Sequence, residues 1–182
     1  MKSGVRALGV AESYQGTPST LAGTVVRADR VVDGFAFTTC TVGGTDATTA
    51  ILSLFDELDR ADIRYLLVAG IAPAWYNIID LQRLFEQTSV PALSVSFEAS
   101  DGLVSAIREA FDGEAATRRL KTYRAQPDRR SISLDDATVY LRSVGIDDAK
   151  AADVVRAFMP EGSRPEPLRV ARLAARGADG FR

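Results

Sequence analysis

One change of period constrains this chain more than any other feature. Up to residue 42 the apolar residues come in short runs rich in β-branched and aromatic side chains, and from residue 47 they fall at helical spacing. GVRALGV (4–10), LAGTVVRA (21–28) and FAFTTCTV (35–42) read as three strands. SYQGTPST separates the first two, and ADRVVDG, with a turn around Asp33-Gly34, separates the second from the third. Links this short join antiparallel neighbours, so the chain is expected to open as a meander. Ala47, Ile51, Leu54, Phe55 and Leu58 then mark one face of a helix, with Thr45 or Asp46 placed to cap it.

The alternation continues. IRYLLVAGI (63–71) is a continuous apolar run, the pattern of a strand buried on both faces. NIIDLQRLFEQTS (77–89) is an amphipathic helix, VPALSVSF (90–97) the next buried strand and GLVSAIREAFD (102–112) the next helix. The order βββαβαβα predicts an α/β fold: a five-stranded mixed sheet, three antiparallel strands followed by parallel β-α units, with helices on its faces. The tail predicts a short basic helix (AATRRLKTYRAQ), a hairpin of SISL and TVYLRSVG around residues 134–137, and a helix in DDAKAADVVRAFM. It closes with a helix in RPEPLRVARLAARG, opened by Pro167 and ended by Gly177. No repeat or linker interrupts the pattern, so residues 1–182 are expected to form one domain.

Composition removes several kinds of chemistry. The chain of 182 residues has no histidine, which excludes Ser-His-Asp and Cys-His catalysis and ordinary His-bearing zinc sites. Any metal is expected to be a hard ion held by oxygens, Mg²⁺ or Mn²⁺. Cys40 is the only cysteine, so no internal disulfide can form, which fits a reducing cytosol and a cytoplasmic location. No apolar run reaches the roughly 18 residues of a membrane span, and MKSGVRALGV reads as a strand rather than a leader. Residues 1–114 carry 8 basic and 15 acidic side chains, a net of −7, and residues 115–182 carry 14 and 9, a net of +5. A basic second half suits either a phosphate-binding face or a solvated helical surface.

The βββαβα order is the ribonuclease H-like topology. It brings three places to one edge of the sheet: strand one, the start of the helix after strand three, and the end of strand four. Two metal ions about 4 Å apart would need several carboxylates there. The first place offers Ala11 and Glu12, the second Asp46, and the third Ala69, with no further acid until Asp80. Side chains alternate along a strand, so Glu12 points away from the position of Ala11 unless the strand has already ended there. Aromatic and amide groups crowd the same edge. Tyr14 follows strand one, and Trp75, Tyr76 and Asn77 follow strand four. Rings there suit a wedge into a duplex or a stack on a flipped base, and an amide suits a base edge. The same residues equally suit closing the core and capping a helix. Arg169, Arg172 and Arg176 share one stripe of the last helix.

These residues resemble a known family. GVAESY is similar to the first motif of endonuclease V, with Ala11 at the position of a metal-binding aspartate. The stretch from GVRALGV through VVDG, GGTDAT, LLVAGIAPAWYNIIDL and VPALSVSF to RPEPLRVARL resembles the archaeal endonuclease dU family over nearly the full length. The resemblance implies action on, or recognition of, deoxyuridine or another deaminated base in DNA (or RNA). It carries over Asp46 as a retained acidic site, and Asp46 with Glu12 from the strand-one place are the expected catalytic and metal-holding carboxylates for Mg²⁺ or Mn²⁺. Tyr14, Trp75, Tyr76, Asn77, Arg169 and Arg172 are the expected nucleic-acid contacts. It also marks departures: Ala11, Ala69 and Arg172 stand where many relatives hold acidic residues or histidine, so the metal site is expected to be partly lost. A relative that binds nucleic acid or a protein partner without cutting is the alternative expectation.

Overall fold

A computed structural model describes residues 1–134, 137–159 and 164–181. The predicted meander is present as β1 (Arg6–Ser13), β2 (Ser19–Arg27) and β3 (Val32–Cys40), followed by α1 (Ala47–Leu58). Then come β4 (Ile63–Ala69), a single turn α2 (Pro73–Tyr76), α3 (Leu81–Thr88), β5 (Ala92–Ser96), α4 (Val104–Ala110) and α5 (Gly113–Arg124). The chain ends with β6 (Arg130–Leu134), β7 (Ala137–Val144), α6 (Asp148–Ala157) and α7 (Glu166–Phe181).

The sheet has seven strands, not the five expected, in the order β3-β2-β1-β4-β5-β7-β6. The first five strands of that order form the predicted ribonuclease H-like arrangement: β1 pairs antiparallel with β2 and parallel with β4, and β4 pairs parallel with β5. The correction comes from the hairpin. β7 pairs antiparallel with β5, Ser94 opposite Arg142, and so extends the sheet by two strands. The turn expected at Asp135-Asp136 lies outside the described residues. Two further expectations shift. The β2–β3 reversal falls at Ala28–Val31, with Arg30 at φ 74°, and Asp33 and Gly34 already belong to β3. The last helix runs past Gly177 to Phe181.

Alternation along the strands divides the core into two layers. Leu8, Val10, Leu21, Leu66 and Val68 pack with α1 and α3 residues on one face. Ala7, Leu67, Leu93, Val95 and Leu141 pack with α6 and α7 residues on the other. α7 sits against β1 and β2 through Leu168, Ala171 and Ala175. Its approach depends on Gly9: a Cβ there would lie 2.3 Å from the Pro167 carbonyl, and Thr24 Oγ1 donates to that same oxygen at 2.9 Å. Among the described residues no helix is long and apolar enough to cross a membrane.

Candidate nucleic-acid interface at the carboxyl edge of the sheet

The carboxyl ends of β1, β4 and β5 open onto one edge, the usual ligand side of a parallel α/β sheet. Two loops crowd this edge and are locked together. The segment joining β3 to α1 carries Asp46, and the segment after β4 carries α2 and Asn77.

Asp46 stands at the start of α1, as expected, but its carboxylate does not cap that helix. It turns back. Thr41 N donates to both oxygens at 3.1 Å, Thr41 Oγ1 donates to Oδ2 at 2.8 Å, and Asn77 Nδ2 donates to Oδ1 at 2.7 Å. The cap comes from another part of the chain, since Ala47 N donates to Asn77 Oδ1 at 2.9 Å. Asn77 Nδ2 also donates to the Thr41 carbonyl at 2.9 Å. Asn77 is fully buried, 0% exposed, with both ends of its amide engaged. Its amide is therefore turned into the protein and not toward a base edge. Burial pushes the Asp46 carboxyl upward, but the hydrogen bonds from Asn77 and Thr41 outweigh it and hold the group below the usual aspartate range. Asp80 takes the capping role further on, accepting from Arg83 N at the start of α3.

Glu12 lies in β1 and points to the α1 layer, on the alternation that sends Ala11 to the α7 layer. Its Oε2 accepts from Ser19 Oγ at 2.9 Å and from Ala74 N at 2.7 Å. The second bond matters because of where Ala74 sits. Ala74, Trp75 and Tyr76 all have left-handed φ values of 48°, 59° and 56°. Each such non-glycine residue costs about 1–2 kcal/mol, so this turn holds only because its surroundings fix it. Glu12 fixes the Ala74 amide, Gly43 N donates to the Ala74 carbonyl at 2.7 Å, and Asn77 N donates to the Pro73 carbonyl at 3.0 Å. The turn presents Trp75, which is 54% exposed and packs edge-on to Tyr76 with centroids 5.4 Å apart. Tyr76 in turn meets Phe111 edge-on at 6.2 Å. Tyr14, just past β1, is 47% exposed. The edge thus brings together Glu12, Asp46 and the aromatic side chains predicted from the sequence.

A charged residue that sequence reasoning missed secures the Asp46 loop. Arg119 on α5 is buried, lies over the Phe111 ring at 3.8 Å, and donates to the carbonyls of Gly43 and Gly44. Burial, reinforced by Arg118, lowers its pKa, and its Nε has no partner. The signal was available in the spacing: Ala116, Leu120 and Tyr123 mark one face of α5, and Arg119 falls on that face while Arg118 and Lys121 fall off it.

The remaining donors do not fit a two-metal centre. Among the described residues no three acidic or cysteine side chains gather in a form that holds a metal ion. Ala11 is buried and Ala69 supplies only a methyl group. Asp46 already meets four donor contacts, and Glu12 anchors the aromatic turn. Cys40 is buried, and burial, then the fields of Asp46 and Glu12, push its thiol up to about 12.

Beside this edge a cleft of about 390 Å³ runs between the ends of β4 and β5. Glu12, Ala69 and Pro73 form the wall nearest the aromatic turn. The far wall comes from β7 and the segment before β6. Arg129 lies over the Tyr140 ring at 4.1 Å and donates to Ser96 Oγ, and Arg142 donates to Tyr123 Oη at 3.1 Å. Burial lowers the Arg129 pKa. The third side holds Arg164, over the Phe97 ring at 4.4 Å, and Arg172 from α7. Of the two arginines expected to contact nucleic acid, only Arg172 lines this cleft. Arg169 is held by Glu166 through two bonds of 2.7 and 2.6 Å, and it keeps the Glu166 carboxyl below its ordinary range. Arg129, Tyr140 and Arg142 gave no signal in the sequence because the β5–β7 pairing that brings the β6–β7 hairpin here joins residues 44 to 52 apart.

A family profile described as endonuclease dU matches residues 3–178. The chain belongs to the endonuclease dU family. A UPF0215 protein of Pyrobaculum calidifontis is 34% identical over 174 residues, covering 93% of this chain and 94% of that protein. Among solved structures, a protein of unknown function from Archaeoglobus fulgidus superposes with a TM-score of 0.82 at 26% identity, covering 95% of this chain and 97% of that one. Endonuclease V of Ciona intestinalis, solved with a 23mer DNA containing an inosine, superposes with a TM-score of 0.62 at 11% identity, covering 97% and 86%. The endonuclease dU fold is therefore of the endonuclease V kind.

Proposed function

We propose that this member of the endonuclease dU family recognises a deaminated base, deoxyuridine, in DNA at the carboxyl edge of its sheet. The observation that carries the reading is Trp75, more than half exposed on a strained left-handed turn beside an open cleft. Backbone strain held in place by a buried network is characteristic of functional sites. A ring on such a turn is suited to wedge into a base step or to stack on an unpaired base. The adjoining cleft is of a size for one extruded nucleotide and not for a duplex. The family membership and the DNA bound by the Ciona intestinalis endonuclease V support the same direction. Glu12 and Asp46 act here as anchors of the aromatic turn and of the α1 loop. Recognition is the part of the family's work that this donor set supports best.

Gel retardation of a duplex with one uracil, against the same duplex without it, tests the reading. The uracil duplex is expected to bind about tenfold more tightly, with Trp75→Ala removing most of that margin, and binding is expected to weaken with salt. Equal retention of the two duplexes, or none at low salt, overturns it. Strand cleavage with Mg²⁺ or Mn²⁺ that disappears in Asp46→Ala would replace recognition alone with catalysis.

A further inference from the structure

The charges around the cleft are unbalanced in a way that the recognition of a base does not require. Four arginines and two glutamates, Glu12 and Glu98, line it, and among the described residues none of the four arginines is paired with a carboxylate. They divide into two pairs. Arg129 and Arg142 at the inner wall are tied to Ser96, to Tyr123 and to main-chain carbonyls. Arg164 and Arg172 are both exposed, and neither has a hydrogen-bond partner among the described residues. Arg164 lies over the Phe97 ring with Cζ 4.4 Å from its centroid, a contact that does not use its N–H groups. At the inner end Ser94 is 4% exposed, lines the cleft, and offers a hydroxyl with no partner among the described residues. The cleft therefore has a polar inner end and a mouth with two unsatisfied guanidinium groups.

We propose that the cleft is a metal-independent site for a nucleotide bearing a phosphomonoester, with Arg164 and Arg172 taking the phosphate and Ser94 facing the base. Two free guanidiniums match a dianion, and forked N–H groups bind phosphate oxygens in pairs. The volume suits one nucleotide. Such a phosphate belongs either to a free nucleotide or to the end of a DNA strand. The inference rests on the recognition reading above for the choice of uracil as the base, and it adds a phosphate that is terminal and not internal to a strand.

Calorimetric titration of the full chain in EDTA tests it, with dUMP, deoxyuridine and inorganic phosphate as probes. dUMP is expected to bind without any divalent ion, and deoxyuridine at least about tenfold more weakly, as loss of charge-assisted bonds implies. Arg164→Ala and Arg172→Ala are each expected to weaken dUMP by about tenfold, with Arg176→Ala, which lies outside the cleft, as the control. A 5′-phosphorylated oligonucleotide compared with its 5′-hydroxyl form separates a strand end from a free nucleotide: a preference for the phosphorylated strand assigns the site to DNA ends, and equal binding of the two strands assigns it to the free nucleotide. No binding of dUMP at millimolar concentration, dUMP no tighter than deoxyuridine, or unchanged dUMP binding in both variants overturns the inference. Retention of a uracil duplex in that case leaves the recognition reading standing. Binding of dUMP without any retention of the duplex does the reverse.

Discussion

The two ends of the sheet treat charge in opposite ways. At the amino end, Arg6, Asp33, Arg60 and Asp62 form a closed network. Arg6 meets Asp33 at 2.6 Å and Asp62 at 3.3 Å, and Arg60 meets Asp62 at 2.8 Å. Each charge there has an opposite charge, and Arg60 holds the Asp62 carboxyl below its ordinary range. At the carboxyl end the acids and the bases do not meet. Asp46 and Glu12 are consumed by hydroxyl, amide and main-chain donors, and the cleft arginines stack on rings or stand free. The first arrangement is what stability alone produces. The second leaves positive charge uncancelled beside a strained aromatic turn, and the difference supports the carboxyl end as the proposed binding edge.

The contrast can be broken most directly at Asn77. Asn77→Ala leaves the buried Ala47 amide without a partner, takes one hydrogen bond each from the Thr41 carbonyl and the half-buried Asp46 carboxylate, and opens a cavity at a fully buried position. It is expected to lower stability by about 3 kcal/mol in urea denaturation. A loss under about 1 kcal/mol would mean that water replaces the amide and that the locked-loop account is wrong. The next effect concerns strain. Glycine adopts left-handed φ freely, so Trp75→Gly is expected to be more stable than Trp75→Ala by about 1 kcal/mol, although both lose DNA binding. Equal stability of the two would remove the claim that the turn is held against its own preference.

At the amino end Arg6→Ala is expected to cost less than about 1 kcal/mol, as for other part-exposed ion pairs, and to leave DNA binding unchanged. A change in DNA binding there would end the division between the two ends. The smallest effect is in acid. The folded Asp46 carboxyl titrates below its unfolded value, so its contribution is present above the unfolded carboxylate range and is lost as pH falls through the folded value. Denaturation midpoints measured downward from about pH 5 are expected to fall less steeply in Asp46→Asn than in the unmodified protein. Asp62 and Glu166 titrate in the same window, so the difference between the two curves is the quantity to read.

Much of this fold was legible because its signals are local. Period-2 runs and short links specify β1 to β3, and the helical faces of α1 and α3 follow from residues three and four apart. The convergence of residues 12, 46 and 75 on one edge followed from topology. The individual roles did not. Asp46 reads as a helix cap, yet the cap is Asn77, thirty-one residues away and in another loop. Glu12 reads as a metal-holding carboxylate, yet it holds the amide of Ala74. Arg169 and Arg172 read as one stripe, yet Glu166 takes the first and the cleft takes the second.

By itself the sequence determined the family, the order of the elements and the kinds of chemistry open to a chain without histidine. These depend on periodicity and residue type, which are carried along the chain. Only the tertiary structure decided which polar groups are already satisfied and which still face solvent. A carboxylate or guanidinium is available to a ligand only when no neighbour has filled its hydrogen bonds, and those neighbours come from distant segments. The β5–β7 pairing supplies Arg129 and Arg142 and completes the cleft, and packing of α7 on Gly9 brings Arg172 to its mouth.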